Sequence, residues 1–581
     1  MSGTPPWNSQ FEEALNLHSE AQFAAASERY QAIEAEYPEA HPVWNADGIL
    51  DFQSGEVERG VEKLEKACNL DPRNSEYWSN LGNAYRILHR YEDSAEVCRK
   101  AVELDDQNAA AHNNLAGALR YLHDIDAANY HVDRAIEIAG PFREAMLNRA
   151  CTDFVLGLNE RGTNTMSELI KADPTVDENW FVWLFQLGYG EGIPNEDFRQ
   201  AHAMFGSRFP EAPRPVPTRK RPQRIGFVSG DLYGHPVGKF MMMLLEHIDK
   251  SQFQIIAFSN SDRKDDVTQV LMRNCAEWHM VAGKPIDQIY SIVRQADVDV
   301  LIDLSGHTSA NLLPLFAKRP APVQATYLGY SATTGLSQMD FFIADNVTIP
   351  VEYENSVVEQ IIRLPDSCFC FPGVEVKPKP QKPEGEPTVF GSFNNPMKIT
   401  HTAMLMWAEI LRQVPGSKLV VKYMSLGGKL ANENYTKRFI AAGIPEDRFE
   451  IHGSLPYEEH IEMVRSVDIV LDTPVYNGAT TTVDALTVAT PVVTWAGERY
   501  NQRMAASILA AAGLEELITH SGEEYIDLAV RLATDHAYRK EVEAKIVEQW
   551  PKSALVDGHR FALNFENAIF NMWEKIFPSK T

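Results

Sequence analysis

Apolar positions along the first third of the chain follow one rhythm, and those along the rest follow another. From Trp7 to about residue 172, large and small apolar residues recur at helical spacing, and the pattern repeats about every 34 residues. The phase holds for five units, beginning at Trp7, His41, Ser75, Ala109 and Arg143. The third unit is clearest, with Trp78, Leu81, Gly82, Tyr85 and Ala101. The fourth echoes it with His112, Leu115, Ala116, Leu119 and Ala135. A small residue recurs in each first helix as Ala14, Gly48, Gly82, Ala116 and Ala150, and a proline follows the second helix as Pro38, Pro72 and Pro174. A partial sixth unit near Asp177 carries Trp180 and Trp183 and is expected to cap the array or dock it on the next domain.

Beyond residue 222 the pattern changes to short apolar runs separated by amphipathic stretches. Strands are predicted at 224–229, 254–259, 298–304, 323–328 and 341–344, with a helix at 286–296. After a proline-rich break at 372–387 the rhythm restarts. Strands are predicted at 388–393, 418–422, 449–452, 469–471 and 492–495, with helices at 400–412 and 459–466. A final helix at 558–576 is expected to pack back across a domain seam. Strand–helix alternation implies a parallel sheet with helices on both faces, and two such halves imply ligands at strand C-termini. The expected fold class is therefore α + α/β, an α-solenoid followed by two Rossmann-like domains. The array covers residues 1–210, an extended basic proline-rich linker 211–222, the first half 223–380 and the second half 381–581. No G-x-G-x-x-G ends a strand, which disfavours a dinucleotide fold.

The 34-residue period is that of tetratricopeptide repeats, helix pairs that stack because neither can bury its apolar face alone. Their groove typically takes extended peptide. Asn80, Asn114 and Asn148 share one phase in it and are candidate acceptor-binding residues, because an amide both donates and accepts. One repeat earlier that phase falls on Ala46. A solvated helix face is the alternative reading.

Composition narrows the function. The 581 residues suffice for about three or four domain-sized units. A net charge of -26 disfavours nucleic acid and anionic membrane as partners. Six scattered cysteines, without zinc or redox spacing, are expected to be reduced thiols of a cytoplasmic protein. The N-terminus shows no signal pattern, and no apolar run approaches the ~20 residues of a membrane span.

Polar residues placed after strands carry the candidate chemistry. At 471–486, a strand end, a Pro/Asn/Gly turn and three threonines opening a helix form a pocket for an anion. Thr480 and Thr481 face that pocket, and Asp484, one turn in, is placed to accept hydrogen bonds from a sugar. Lys398, at the start of a helix where the dipole disfavours a cation, implies an anion between the two. His460 opens another helix and could meet the same anion or a base ring. His235 follows the first strand and is a candidate base or sugar ligand, or else a capping histidine. His307, after the strand at 298–304, is a candidate acceptor contact or a structural turn residue. Asp297-Val-Asp299 is a formal D-x-D but lies at a strand start and reads as structural. Together these residues fit a nucleotide diphosphate held by neutral donors and one lysine, with no metal and no cofactor.

The repeat array, Gly234-His235-Pro236, Arg319-Pro-Ala-Pro-Val-Gln-Ala-Thr-Tyr-Leu-Gly-Tyr330, Phe393-Asn-Asn-Pro-Met-Lys-Ile399 and Asp472-Thr-Pro with Thr480-Thr-Thr-Val-Asp484 together resemble glycosyltransferase family 41. That family comprises the protein O-GlcNAc transferases and their SPINDLY-type relatives. The resemblance implies a GT-B fold, an inverting metal-independent mechanism, UDP-GlcNAc as donor and protein Ser/Thr acceptors held by the repeat groove. By the same resemblance His235 and Lys398 are catalytic. Leu328 and Gly329 line the sugar pocket, and Asn395 stands where the animal enzymes have glutamine. Lys398, Thr480 and Thr481 hold the diphosphate, His460 meets the base, and Asp484 is reassigned to the ribose. Ala479 and Tyr457 replace a histidine and a lysine of the animal enzymes. Phe-Asn-Asn and Thr-Thr-Thr are closer to the SPINDLY branch, whose plant member transfers fucose from GDP-fucose. A fucosyl transferase, a flagellin glycosyltransferase using another sugar and a non-catalytic repeat scaffold are the alternatives. The short catalytic region is similar to bacterial members, and a homodimer is one expected assembly.

Overall fold

The computed structural model describes residues 5–380 and 385–578. The chain forms two compact units. One comprises Met1–Thr152 with Asn260–Arg263 and Met280–Gln295, and the other Asp153–Ser259, Lys264–His279 and Ala296–Thr581. The expected boundary between residues 380 and 381 falls at 381–384, outside the described residues.

In the first unit the helices are α1 (Asn8–Ser19), α2 (Phe23–Glu36), α3 (His41–Gln53), α4 (Val57–Leu70), α5 (Ser75–Ile87), α6 (Tyr91–Leu104), α7 (Ala109–Tyr121) and α8 (Ile125–Ala139). Helix α9 (Arg143–Val155) begins there and ends in the second unit, which continues with α10 (Asn159–Ala172), α11 (Asp177–Leu187) and α12 (Asn195–Gly206). First helices start within one residue of the repeat phase. The recurring small residue lets paired helices touch: a Cβ on Gly48 would lie 3.0 Å from the Gly60 carbonyl, and one on Gly82 2.2 Å from Cys98 Sγ. The recurring proline has a partner as well. The indole N–H groups of Trp44, Trp78 and Trp180 donate to the carbonyls of Pro38, Pro72 and Pro174 at 2.9, 3.1 and 2.9 Å. Lys66 and Lys100 lie over the first two rings at 3.8 and 3.6 Å.

The second unit holds two parallel sheets. The first contains β1 (Arg224–Ser229), β2 (Gln254–Ser259), β3 (Glu277–Met280), β4 (Val300–Asp303), β5 (Val323–Thr326), β6 (Phe341–Asp345) and β7 (Gln360–Leu364), in the order β3-β2-β1-β4-β5-β6-β7. The second contains β8 (Val389–Ser392), β9 (Lys418–Lys422), β10 (Phe449–His452), β11 (Ile469–Leu471), β12 (Val492–Trp495) and β13 (Ile518–Thr519), in the order β10-β9-β8-β11-β12-β13. Described registers are parallel throughout, for example Ile225 with Val300 and Phe390 with Ile469. The last helix, Gly558–Ile576, falls in the second half by sequence but packs on the first sheet. Its apolar face brings Phe565 to Phe227 and Tyr327, with centroids 6.3 and 5.4 Å apart.

Each sheet reverses its strand order once, between β1 and β4 in the first and between β8 and β11 in the second. Loops diverge at such points and leave a crevice at the strand C-termini. Both crevices are braced alike. Asp303, which ends β4, accepts from Ser305 N (3.0 Å), Gly306 N (2.9 Å) and Thr326 Oγ1 of β5 (2.9 Å). Asp472, just after β11, accepts from Asn394 Nδ2 (3.0 Å), Gly478 N (2.8 Å) and Thr494 Oγ1 of β12 (2.7 Å). Burial pushes the Asp303 carboxyl up to about 6 and raises that of Asp472 as well.

Candidate functional site

The second crevice gathers most of the candidate residues. Lys398 ends the short 3-10 turn Pro396–Lys398, with Thr400 as the cap of the following helix His401–Gln413. It therefore precedes the helix rather than opening it, and dipole repulsion does not explain its placement. Tertiary contacts do: Nζ donates to the Asn477 carbonyl at 2.8 Å and sits 4.3 Å from the centre of the Tyr476 ring. Burial holds its ammonium down at about 8, opposed by the nearby Asp472 carboxylate. Among the described ion pairs none includes Lys398, and Asp472 spends its oxygens on Asn394, Gly478 and Thr494. Asn395 caps the Lys398 turn, its Oδ1 accepting from Met397 N at 3.1 Å.

The three threonines open a short helix, Thr480–Leu486, capped by Ala479 without a side-chain bond. Thr481 Oγ1 donates to Asn394 Oδ1 at 3.1 Å, which ties the loop after β11 to that after β8. Thr482 is buried and donates back to the Gly478 carbonyl. Gly478 admits no side chain, since a Cβ would lie 2.1 Å from Thr481 Oγ1. One turn on, Asp484 Oδ1 accepts from Tyr457 OH at 3.2 Å, and its Oδ2 lies 3.6 Å from His460 Nε2. Both partners lie on the helix Tyr457–Ser466. The His460 ring packs edge-on against Phe393 at 5.6 Å, and its Nδ1 is buried without a hydrogen-bond partner.

The first half faces this crevice through its own switch point. His235 follows β1 and caps the helix Pro236–His247, its Nδ1 accepting from Val237 N at 3.4 Å. An Nδ1 that accepts leaves the proton on Nε2, so neutral His235 presents an N–H rather than a lone pair. Half-buried Asp231 lies 3.8 Å from the same Nδ1. Leu328 and Gly329 follow β5. Leu328 has a positive φ of 69°, and a Cβ on Gly329 would lie 1.7 Å from the Leu304 carbonyl. The two halves meet on either side of these residues, where Lys239 lies over the Tyr457 ring at 5.5 Å and Tyr476 OH donates to Ser331 Oγ at 3.2 Å.

Two expectations change. His307 is not an acceptor contact. It is 1% exposed, bonds the Thr334 carbonyl through Nε2 at 2.8 Å, and is enclosed by Phe181, His202, Phe205 and Tyr330. Burial holds it well below the usual histidine range, as for a neutral core residue. The in-phase asparagines carry a structural load that the sequence did not show. Asn80 Nδ2 donates to Asn45 Oδ1 at 3.0 Å, Asn114 to the Ser79 carbonyl and hydroxyl at 3.2 and 3.1 Å, and Asn148 to Asn113 Oδ1 at 2.9 Å. Each therefore ties its repeat to the one before, and among the described hydrogen bonds its own Oδ1 accepts none. Asp297-Val-Asp299 holds the linker: Asp299 accepts from Gln223 N and Arg224 N, and Arg219 pairs with both aspartates.

Sequence reasoning assigned no role to Asp472, Asn394 or Tyr476. The conjunction of Asn394 and Asp472 after two strands of one sheet was the available signal.

Comparison with known proteins agrees with this fold. The model of glycosyl transferase family 41 matches residues 212–375 and 374–565, and a tetratricopeptide repeat model matches 75–108. A rice protein (Oryza sativa subsp. japonica) named as a probable UDP-N-acetylglucosamine–peptide N-acetylglucosaminyltransferase SPINDLY is 34% identical over 411 residues, 68% of this chain and 44% of that protein. Its namesake from Petunia hybrida is 32% identical over 421 residues, 70% of this chain and 45% of that one. The chain thus spans less than half the length of these relatives. A solved O-GlcNAc transferase mutant from Thermobaculum terrenum superposes with a TM-score of 0.72 at 26% identity, covering 92% of this chain and 98% of that one.

Proposed function

The chain belongs to glycosyl transferase family 41, and from that premise we propose that it is a protein O-glycosyltransferase moving GlcNAc from UDP-GlcNAc to Ser/Thr hydroxyls. The observation that carries the reading is Lys398, a partly buried ammonium at a strand-order switch whose described contacts are a carbonyl and a ring face. A cation so placed awaits an anion, and a sugar-nucleotide diphosphate matches it. Thr480 adds a neutral hydroxyl donor to the diphosphate and Thr481 its backbone N–H, the Thr481 hydroxyl being held by Asn394, while Asp484 takes the ribose hydroxyls and His460 flanks the base. Leu328, Gly329 and Asn395 bound the sugar.

In the proposed reaction the acceptor hydroxyl attacks the anomeric carbon from the face opposite the diphosphate, inverting the centre. The glycosidic C–O bond forms as the C–O bond to the diphosphate breaks, and Lys398 holds the departing charge without a metal. His235 donates Nε2–H rather than accepting a proton, so the hydroxyl proton passes to a phosphate oxygen of the donor. The repeat array holds the acceptor peptide, with the free Oδ1 of Asn80, Asn114 and Asn148 taking backbone N–H groups. No helix among the described residues is long and apolar enough to cross a membrane.

Thermal-shift titration tests the donor. UDP and UDP-GlcNAc should raise the melting temperature while GDP and GDP-fucose do not. Stabilisation by the guanosine pair alone would replace GlcNAc with a fucose-type donor, and stabilisation by neither pair would favour a scaffold.

The state of Lys398 gives a pH prediction. Its folded value of about 8 means the free site is charged below that pH and progressively neutral above it. A bound diphosphate favours the ammonium and raises that value, so binding above pH 8 draws in a proton, and affinity falls by up to about tenfold per pH unit. Calorimetry at pH 8.5 in buffers of different ionisation heat should show proton uptake in the wild type and none in Lys398→Met.

A further inference from the structure

The turn between α11 and α12 reaches the donor site by two routes. Tyr189 stacks on Tyr476 with centroids 4.9 Å apart and ring planes 17° apart, and it is over the Tyr476 ring that the Lys398 ammonium rests at 4.3 Å. The second route runs through Asn501. Its Nδ2 donates to the Gly188 carbonyl at 2.8 Å and the Val475 carbonyl at 3.1 Å. Its own carbonyl accepts from Asn477 N at 2.7 Å, and the Asn477 carbonyl in turn accepts from Lys398 Nζ at 2.8 Å. Both routes start on adjacent residues, Gly188 and Tyr189, and both end on one ammonium.

The same turn is fixed from several sides. Thr402 N donates to Glu191 Oε1 at 2.9 Å, Arg499 to the Ile193 carbonyl at 3.1 Å, and Asn195 to Glu498 at 3.0 Å. On the first half, His202 of α12 bonds Tyr330 OH at 2.7 Å, and Gly206 is pressed so closely on Gly335 that a Cβ would lie 1.9 Å from its carbonyl. The last helix pair therefore grips both catalytic halves and inserts Tyr189 where they meet.

We propose that Tyr189 is a positioning residue for Lys398, acting through Tyr476, so that the helix pair α11–α12 sets how tightly the diphosphate is held. The proposal rests on Lys398 being the diphosphate lysine. A ring face attracts an ammonium by its quadrupole, and the attraction depends steeply on where the ring sits. Tyr476 is held by its stack on Tyr189 and by Ser331. Without the stack, a buried ring-sized space opens beside it and the ring is free to turn away. Tyr189 and the phenols that face it, Tyr330, Tyr423 and Tyr476, are all pushed up by burial and stay neutral, and Asp472 supplies the charge neighbouring the lysine.

A double-mutant cycle on the full chain tests this, with UDP, GDP and inorganic pyrophosphate as calorimetric probes. Tyr189→Leu should weaken UDP binding about tenfold, the scale of one cation–π contact, while Tyr189→Phe stays within about twofold. In a Lys398→Met background, Tyr189→Leu should cost less than about twofold, because the group it positions is gone. Equal loss in both backgrounds would mean a structural role and would overturn the proposal, as would no loss in the wild-type background. If Tyr189→Leu does not fold, Tyr189→Met fills the space without an aromatic face and runs the same cycle. A wild type that binds neither nucleotide overturns the functional reading instead. The coupling is then read with pyrophosphate, and failure of that probe too overturns both.

Discussion

Lys398→Met is expected to abolish glycosyl transfer while leaving a folded protein that melts at or above the wild-type temperature. The loss follows from the site. The departing diphosphate carries the charge that develops in the transition state, and a preorganised donor removed from such a place typically costs about 10²–10³-fold in rate. Lys398 carries a full charge, so a loss of about 10³-fold or more is expected. The gain in stability has the opposite origin. Burial lowers the Lys398 pKa from its unfolded value to about 8. Between pH 8 and the unfolded value the unfolded chain binds more protons, so stability rises with pH there, and at pH 7 the full penalty of the buried charge is present. Methionine removes that penalty, a gain of about 1–3 kcal/mol after allowance for partial solvent access. Radiolabelled transfer assays and thermal melts at pH 7 and 10 check both halves. A wild-type rate would remove Lys398 from the mechanism, and a lower melting temperature would refute its account as a strained cation.

Asp472→Ala is expected to be the most destabilising single change in the second half. Its carboxylate gathers Asn394 Nδ2, Gly478 N and Thr494 Oγ1, all inside the protein. Truncation leaves those donors without an acceptor, at about 1–3 kcal/mol each before relaxation. A net loss of about 3–5 kcal/mol results, because removing the buried charge itself returns part of the cost. Nucleotide affinity should fall with it, because Asn394 positions Thr481 and the Asp472 loop positions Asn477, which holds Lys398. Asp472→Asn keeps the acceptor oxygen and the shape and should lose about 1 kcal/mol. Denaturant unfolding and UDP calorimetry on both variants measure this. An alanine variant as stable as the asparagine one would refute the bracing role.

The repeat array was legible because its signal is redundant: the small residue, the tryptophan–proline pair and the helix starts each mark the same period. The central strands were legible for a simpler reason, being built on unbroken apolar runs such as 255–258 and 300–302. Three strands were not. Residues 277–280 are Glu-Trp-His-Met, each partly exposed at the sheet edge, so no apolar run marks them. Residues 360–364 interleave polar groups, again at an edge, and the strand at 518–519 is two residues long.

Within the site, residue type and position after a strand were enough to single out Lys398, Thr480, Thr481, Asp484 and His460, which the fold gathers at one crevice. The same signal misled at His307. A polar group after a strand also arises where a turn is folded inward, and only the aromatic wall from α11 and α12 distinguishes the two cases. Tyr189 and Tyr476 lie 287 positions apart in the numbering and carry ordinary aromatic character. Nothing short of the tertiary fold brings them together.

The asparagine bonds along the array have a consequence for descent. Each joins a residue to one 35 positions earlier, across a junction whose two sides are near copies. Duplicating a whole repeat recreates the same bond at the new junction, and deleting one restores it between the former neighbours. Array length can therefore drift between lineages by whole units without any compensating change at the seams. The helix pair α11–α12 has no such freedom, because its contacts are made to the catalytic sheets rather than to another copy of itself.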